Sequence, residues 1–158
     1  MRVVVFGTGG REHALVKALS ASMTVSEVHA VPGSDGISKL ALCHNVDPTD
    51  FASLGSLMDR ISFDLAIIGP EAYLDKGLAD FLRDRSIPVV GPNQVGARLE
   101  SSKLFAKQFM VENGVPTARF FEVSSVEETV EKARNFSAPY VLKVDGLAAG
   151  KGVFICKT

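Results

Sequence analysis

Three clusters of residues in this chain have the types and spacing for chemistry. The first is Gly7-Thr8-Gly9-Gly10-Arg11-Glu12-His13-Ala14. A glycine-rich turn between an apolar run and a helical pattern presents backbone N–H groups to an anion, and Arg11 can add a bidentate contact. The same residues can equally make a tight strand-to-helix turn that binds nothing. Dinucleotide binding is disfavoured: the third glycine position of Gly-x-Gly-x-x-Gly is Glu12, and the second apolar run ends Val31-Pro32-Gly33 with no acid. The second cluster is Gly69-Pro70-Glu71. Its carboxylate can hold hydroxyls or an amine, or be a surface acid behind a strand-stopping proline. The third cluster is Lys143 with the loop Asp145-Gly146-Leu147-Ala148-Ala149-Gly150-Lys151-Gly152. A turn this long and this small in side chain exceeds what a hairpin needs, and suits a flap whose amides close over polyphosphate. It is not a Walker A loop, because Gly152 follows Lys151 where Ser or Thr is required. Lys143 can equally be read the other way, on a wet strand face shared with Val141 and Asp145. Lys103, after Glu100-Ser101-Ser102, opposes the dipole of the helix it heads unless a phosphate partners it.

Short apolar runs and helical stripes alternate and position these clusters. Val3–Phe6, Val28–Val31, Leu65–Ile68 and Ile87–Val90 read as strands, each ended by glycine or Pro-Gly or Gly-Pro. Between them, Ala14, Leu15, Ala18 and Leu19 make one helical stripe. Phe51, Leu54, Leu57, Met58 and Ile61 make a second, on a helix that Asp47-Pro48 would open; Leu74, Leu78, Phe81 and Leu82 make a third. Alternation of this kind predicts a parallel sheet covered on both faces, with the first two clusters at its carboxyl edge, where such sheets bind ligands. The pattern changes near residue 100. A helix through Leu104, Phe105, Phe109 and Met110 stops at Asn113-Gly114, and Ala118–Val123 reads as a strand. A helix capped by Ser124 or Ser125 carries a Val126, Val130, Ala133, Phe136 stripe, and Tyr140–Val144 and Val153–Cys156 read as a hairpin.

The bulk properties limit the function classes. The 158 residues are 46% hydrophobic and 22% charged with a net charge of −1, so neither a nucleic acid nor a membrane surface has a whole-chain electrostatic footprint to meet. No apolar run approaches a membrane span. Cys43 and Cys156 lack paired spacing and read as reduced thiols, and His13, His29 and His44 lack metal-ligand spacing. The expectation is a cytoplasmic enzyme with small-molecule substrates, no zinc and no metal ligand of its own.

Taken in order, Gly7-x-Gly9-Gly10-Arg11-Glu12-His13-Ala14, Gly69-Pro70-Glu71-Ala72, Leu99-Glu100-x-Ser102-Lys103 and Val141-x-Lys143-x-Asp145-Gly146-Leu147-Ala148-Ala149-Gly150-Lys151-Gly152-Val153 resemble the phosphoribosylamine–glycine ligases (glycinamide ribonucleotide synthetases) of the ATP-grasp superfamily. The resemblance covers the whole chain. Thr8 and Ser34 depart from it, standing where the family carries Asn or another small residue and an amide. The resemblance implies a doubly wound parallel α/β domain over 1–100, of pre-ATP-grasp type, which binds substrate. A truncated beginning of an α+β ATP-grasp domain follows over 101–158. It implies ATP-dependent joining of glycine to phosphoribosylamine through glycyl phosphate in purine biosynthesis. Phosphoribosylamine would be held by Gly9, Gly10, Arg11, Glu12, Gly69, Pro70 and Glu71. ATP would be held by Lys103, Lys143, Gly146, Ala148, Ala149, Gly150, Lys151 and Gly152, with Lys143 catalytic. Magnesium or manganese would be liganded from outside these residues, because family members continue well beyond residue 158; the fragment alone would be inactive. The rival readings are another ATP-grasp carboxylate–amine ligase and a non-catalytic nucleotide-binding module.

Overall fold

A computed structural model describes residues 1–148 and 150–157. The chain divides into two compact units, Met1–Ala97 and Arg98–Thr158.

The first unit is built on strands β1 (Arg2–Gly7), β2 (Glu27–Pro32), β3 (Leu42–Cys43), β4 (Leu65–Ile68) and β5 (Val89–Val90), all parallel, in the order β3-β2-β1-β4-β5. The chain winds outward from β1 in one direction, then returns to its other side at β4. The carboxyl ends of β1 and β4 therefore flank the point where the winding reverses, which opens a crevice in a sheet of this kind. Side chains of β1 alternate between two cores. Val5 joins Val28, Ala30 and Ile37 under α1 (Gly10–Ser20), which contributes Val16. Val4 and Phe6 join a larger cluster under α2 (Phe51–Met58), α3 (Glu71–Asp75), α4 (Leu78–Asp84) and α5 (Gln94–Ser101). Val3, Val4, Val5 and Phe6 are fully buried, as a strand covered on both faces must be.

Local chemistry corrects several sequence expectations. The face that α1 buries carries Glu12 and Val16, with Leu19 partly buried; Ala14 and Ala18 are exposed. Asp47 does not open α2. It accepts from the Thr49 amide and hydroxyl, both at 2.8 Å, in a turn of its own, and Asp50 caps the helix by accepting from the Ala52 and Ser53 amides. The stripe Leu74, Leu78, Leu82 is buried as expected, but it spans two helices broken at Gly77, whose φ of +86° is left-handed.

The second unit contains α6 (Lys103–Glu112), α7 (Val126–Ala133) and an antiparallel hairpin of β6 (Tyr140–Lys143) and β7 (Val153–Cys156), paired Tyr140↔Cys156 through Lys143↔Val153. Residues 118–123 form no strand: among the described residues no backbone ladder pairs with them, and Phe121 instead meets Phe136 edge-to-face at 5.5 Å. Ser125 caps α7 at the Glu128 amide, as the sequence suggests. The apolar stripe of α7 is not buried: Val126 and Val130 are exposed, and only Ala133 and Phe136 are partly covered.

Candidate functional site

In the first unit, the loops after β1 and β4 meet through one side chain. Glu12, in the first turn of α1, is 3% exposed. Its Oε2 accepts from the Gly9 amide at 2.8 Å, the reach-back of a capping box whose other half Gly9, lacking a side chain, cannot supply. Its Oε1 accepts from Arg11 Nε at 3.0 Å. The carboxylate lies against three glycines. A Cβ at Gly69 would stand 2.1 Å from Oε1, one at Gly7 2.6 Å from Cγ, and one at Gly9 2.8 Å from Oε2. The glycine content of both loops thus makes room for a buried carboxylate.

Arg11 leaves this anchor for the surface. Its side chain is 61% exposed, and its Nη2 lies 3.7 Å from Glu71 Oε2, at the N-terminus of α3. Gly9, Gly10, Arg11, Glu12, Gly69, Pro70 and Glu71, two groups roughly sixty positions apart in sequence, are therefore gathered at the carboxyl edge of β1 and β4. The 32–36 loop approaches from the side of β2: a Cβ at Gly36 would lie 4.0 Å from the His13 ring. The sequence places Glu12 among the residues that would hold phosphoribosylamine, and in the structure its carboxylate is buried. The only sequence signal for its burial is the capping-box spacing, Gly9 to Glu12, read with the glycines that would surround it.

In the second unit, the head of α6 clasps the root of the glycine loop. Lys103 Nζ donates to the Gly146 carbonyl at 2.8 Å. The Ser102 hydroxyl donates to Asp145 at 2.9 Å, and its oxygen accepts from the Phe105 amide and so caps the helix. The Leu104 amide donates to the same Asp145 carboxylate at 3.1 Å. Partial burial pushes the Asp145 carboxyl up, but the donors from Leu104, Ser102, Lys103 and Gly146 outweigh it and hold the group below its ordinary value. Beyond the clasp, the Val144 amide donates to the Gly152 carbonyl at 2.8 Å and Lys151 to Ala148 at 2.8 Å, closing the loop at its base and turning its tip. Lys143 is exposed on β6, as are Gly150 and Lys151 in the loop. Ala149, also placed in the nucleotide loop from sequence, lies outside the described residues. Ser102 and Asp145 stand in motifs the sequence marks, but their contact with each other is not foreseen there; its signal is a hydroxyl at a cap position and an acid at a loop root.

Among the described residues no group of three or more His, Cys, Asp or Glu side chains could hold a metal ion, and no helix is long and apolar enough to cross a membrane.

Residues 1–100 match the family model described as phosphoribosylglycinamide synthetase, N domain, and residues 101–158 match that described as phosphoribosylglycinamide synthetase, ATP-grasp (A) domain. The chain is similar to the phosphoribosylamine–glycine ligase of Streptomyces coelicolor, with 47% identity over 98% of this chain and 37% of the relative. It is also similar to that of Leifsonia xyli, with 44% identity over 98% of this chain and 37% of the relative. Among solved structures, the crystal structure of phosphoribosylamine–glycine ligase from Thermotoga maritima matches with a TM-score of 0.81 and 38% identity, over 100% of this chain and 36% of that one. The chain thus spans 37% of the length of the curated ligases it matches here.

Proposed function

The chain belongs to the phosphoribosylglycinamide synthetase family, and from that premise we propose that the protein carrying it joins glycine to phosphoribosylamine at the expense of ATP. In this reading, glycine's carboxylate attacks the γ-phosphate to give glycyl phosphate and ADP. The amine of phosphoribosylamine then attacks the acyl carbon and expels phosphate. Such chemistry asks the protein for positioning and charge neutralisation rather than covalent help. The first unit holds phosphoribosylamine at Gly9, Gly10, Arg11, Gly69, Pro70 and Glu71. Arg11 meets the phosphate, and Glu71 meets hydroxyls or the amine. The second unit holds ATP, with Lys103 and Lys143 neutralising its phosphates. The Gly146–Gly152 loop covers them and excludes the water that would hydrolyse an acyl phosphate. Magnesium takes oxygen ligands from one or two carboxylates and the phosphates themselves. The described residues form no cluster that fits it.

The observation that carries the reading is the convergence of Arg11 and Glu71 at the point where the sheet's winding reverses. A cationic fork and a carboxylate at 3.7 Å suit a ligand with a phosphate at one end and hydroxyls and an amine at the other. Steady-state kinetics of single variants test it. Arg11→Ala and Glu71→Ala should raise KM for phosphoribosylamine, each by a loss of about 1.5–3 kcal/mol for a charge-assisted contact, and leave KM for ATP near its starting value. Lys143→Ala should do the converse, lowering kcat and weakening ATP. An unchanged KM for phosphoribosylamine in Arg11→Ala would sink the reading.

A further inference from the structure

The tie between α6 and the glycine loop is stronger than a strand connection needs. The loop is already closed at its base, where the Val144 amide donates to the Gly152 carbonyl at 2.8 Å. Asp145 nevertheless reaches with both carboxylate oxygens to the head of α6. Oδ2 accepts from the hydroxyl of Ser102, 43 positions earlier, at 2.9 Å, and Oδ1 accepts from the Leu104 amide at 3.1 Å. Asp145 belongs to the exposed surface, where water could satisfy a carboxylate, so burial does not demand these partners. The next residue, Gly146, has a left-handed φ of +94° and open space where a Cβ would stand. The position therefore requires glycine's conformation and not its size. The Gly146 carbonyl accepts from Lys103 Nζ at 2.8 Å, so residues 102–104 and 145–146 form one closed ring of contacts.

We propose that Asp145 is a positioning residue: it fixes the root of the glycine loop on the head of α6, so that the Gly146 carbonyl holds the Lys103 ammonium ready for the phosphates of ATP. The proposal rests on the reading of Lys103 as an ATP ligand. A lysine ammonium is a point charge on a flexible four-carbon stem, and a phosphate that captures it must first offset the lost side-chain freedom. A tether in place before the ligand arrives removes part of that cost. The choice of tether matters. A carboxylate on Nζ would cancel the charge that the phosphates are to meet, whereas a carbonyl accepts one hydrogen bond and leaves the charge whole. Asp145 spends its two oxygens on Ser102 and Leu104, and the neutral Gly146 carbonyl holds the lysine. The carboxylate also lies at the N-terminus of α6, where its charge suits the helix dipole and offsets the unfavourable seat of Lys103 in the first turn.

The test uses the full-length protein that carries this chain. Lysine amines are labelled with acetic anhydride without ligand, and the rate at each lysine is read by mass spectrometry. Lys107 is the control, because its Nζ is held within the same unit by the Thr117 hydroxyl at 2.7 Å and the Ala118 carbonyl at 3.0 Å. In wild type, Lys103 should label more slowly than the exposed Lys143; equal rates overturn the proposal whether or not any variant folds. In Asp145→Ala, Lys103 should label faster while Lys107 keeps its rate. A parallel rise at both lysines would mean that Asp145 only holds the unit together, and overturns the proposal. Should Asp145→Ala fail to fold, Ser102→Ala, which removes one of the two donors, is read in the same way. Binding of a β,γ-imido analogue of ATP with magnesium is then measured by calorimetry. Asp145→Ala and Lys103→Met should each weaken it by about tenfold, and the double variant by no more than Lys103→Met alone. Losses that multiply to about a hundredfold overturn the proposal. If Asp145→Ala binds the analogue as wild type does, the proposal falls while the reading of Lys103 stands. If Lys103→Met binds it as wild type does, the reading of Lys103 falls and takes the proposal with it.

Discussion

At the residue scale, the contact between Glu12 and Gly69 makes a suppression experiment possible. Gly69 has an ordinary backbone conformation, so alanine there is resisted by space alone. Its Cβ would stand 2.1 Å from Oε1 and 2.7 Å from the carboxyl carbon of Glu12. The far end of a glutamate could swing aside in a loose site, but this one would surrender its bond to the Gly9 amide. Gly69→Ala should therefore destabilise the protein by about 1–3 kcal/mol, the cost of leaving a buried group unsatisfied. Glu12→Ala should be destabilising too, and in that background Gly69→Ala should cost little, since the atoms it meets are gone. Denaturant titration of the four proteins reads the cycle. An equal penalty for Gly69→Ala in both backgrounds would mean that the obstacle is not Glu12. The segment Gly7–Ala14 was legible in the sequence as a glycine-rich turn from strand to helix. The inward turn of Glu12 was not, because it depends on Gly69, which only the pairing of β1 with β4 brings alongside.

At the scale of elements, strands were easier to read than breaks. Four apolar runs bounded by glycine and proline gave the sheet, since a strand buried on both faces must be apolar throughout. The two-residue strand at Leu42–Cys43 lies at the sheet's edge, and its Leu42 side chain is exposed, so little hydrophobic signal marks it. The run Ala118–Val123 has strand composition, yet composition does not supply a ladder partner. Gly77 hid for a different reason: the spacing Leu74, Leu78, Leu82 is helical across it, and periodicity does not register a left-handed residue between two helices that share a buried face. Gly77→Ala isolates that conformational requirement. The nearest atoms to a Cβ there are those of Gln94 at 3.6 Å, an ordinary contact, so the penalty comes from the backbone alone. The substitution should cost about 1–2 kcal/mol, and Gly77→Asn less, because asparagine tolerates the left-handed region. If alanine and asparagine proved equally harmless in thermal unfolding, α3 and α4 would not need the turn that separates them.

At the scale of the whole molecule, the displaced titrations act in a common direction in acid. Asp47 and Asp50 are held below their ordinary value chiefly by hydrogen bonds from Thr49 and Ser53, and Glu128 by those from Ser124. Burial works against Asp145, and its hydrogen bonds overcome it. A carboxylate lowered in the fold is protonated first in the unfolded chain. It therefore contributes stability that is complete above the unfolded value and lost as pH falls through the folded one. His44 is lowered from 6.5 by burial, then by His29 and by Arg60. The unfolded chain again takes up its proton first, so this contribution too is present above 6.5 and declines as pH falls below it. The structure gives a reason for the neutral form: His29 Nδ1 and His44 Nε2 are 2.9 Å apart, one donating and one accepting, while His29 Nε2 meets Glu27 at 3.2 Å and Glu27 in turn pairs with Arg2. A proton on both facing nitrogens would leave two donors pointed at each other. Stability measured by denaturant titration should hence fall in acid in two stages, the first beginning just below 6.5 and the second in the carboxylate range. His44→Asn should remove the first stage and leave the second. A wild-type profile flat from about pH 7 to pH 5, or a first stage that survives in His44→Asn, would show that the histidine pair does not carry the upper acid limb.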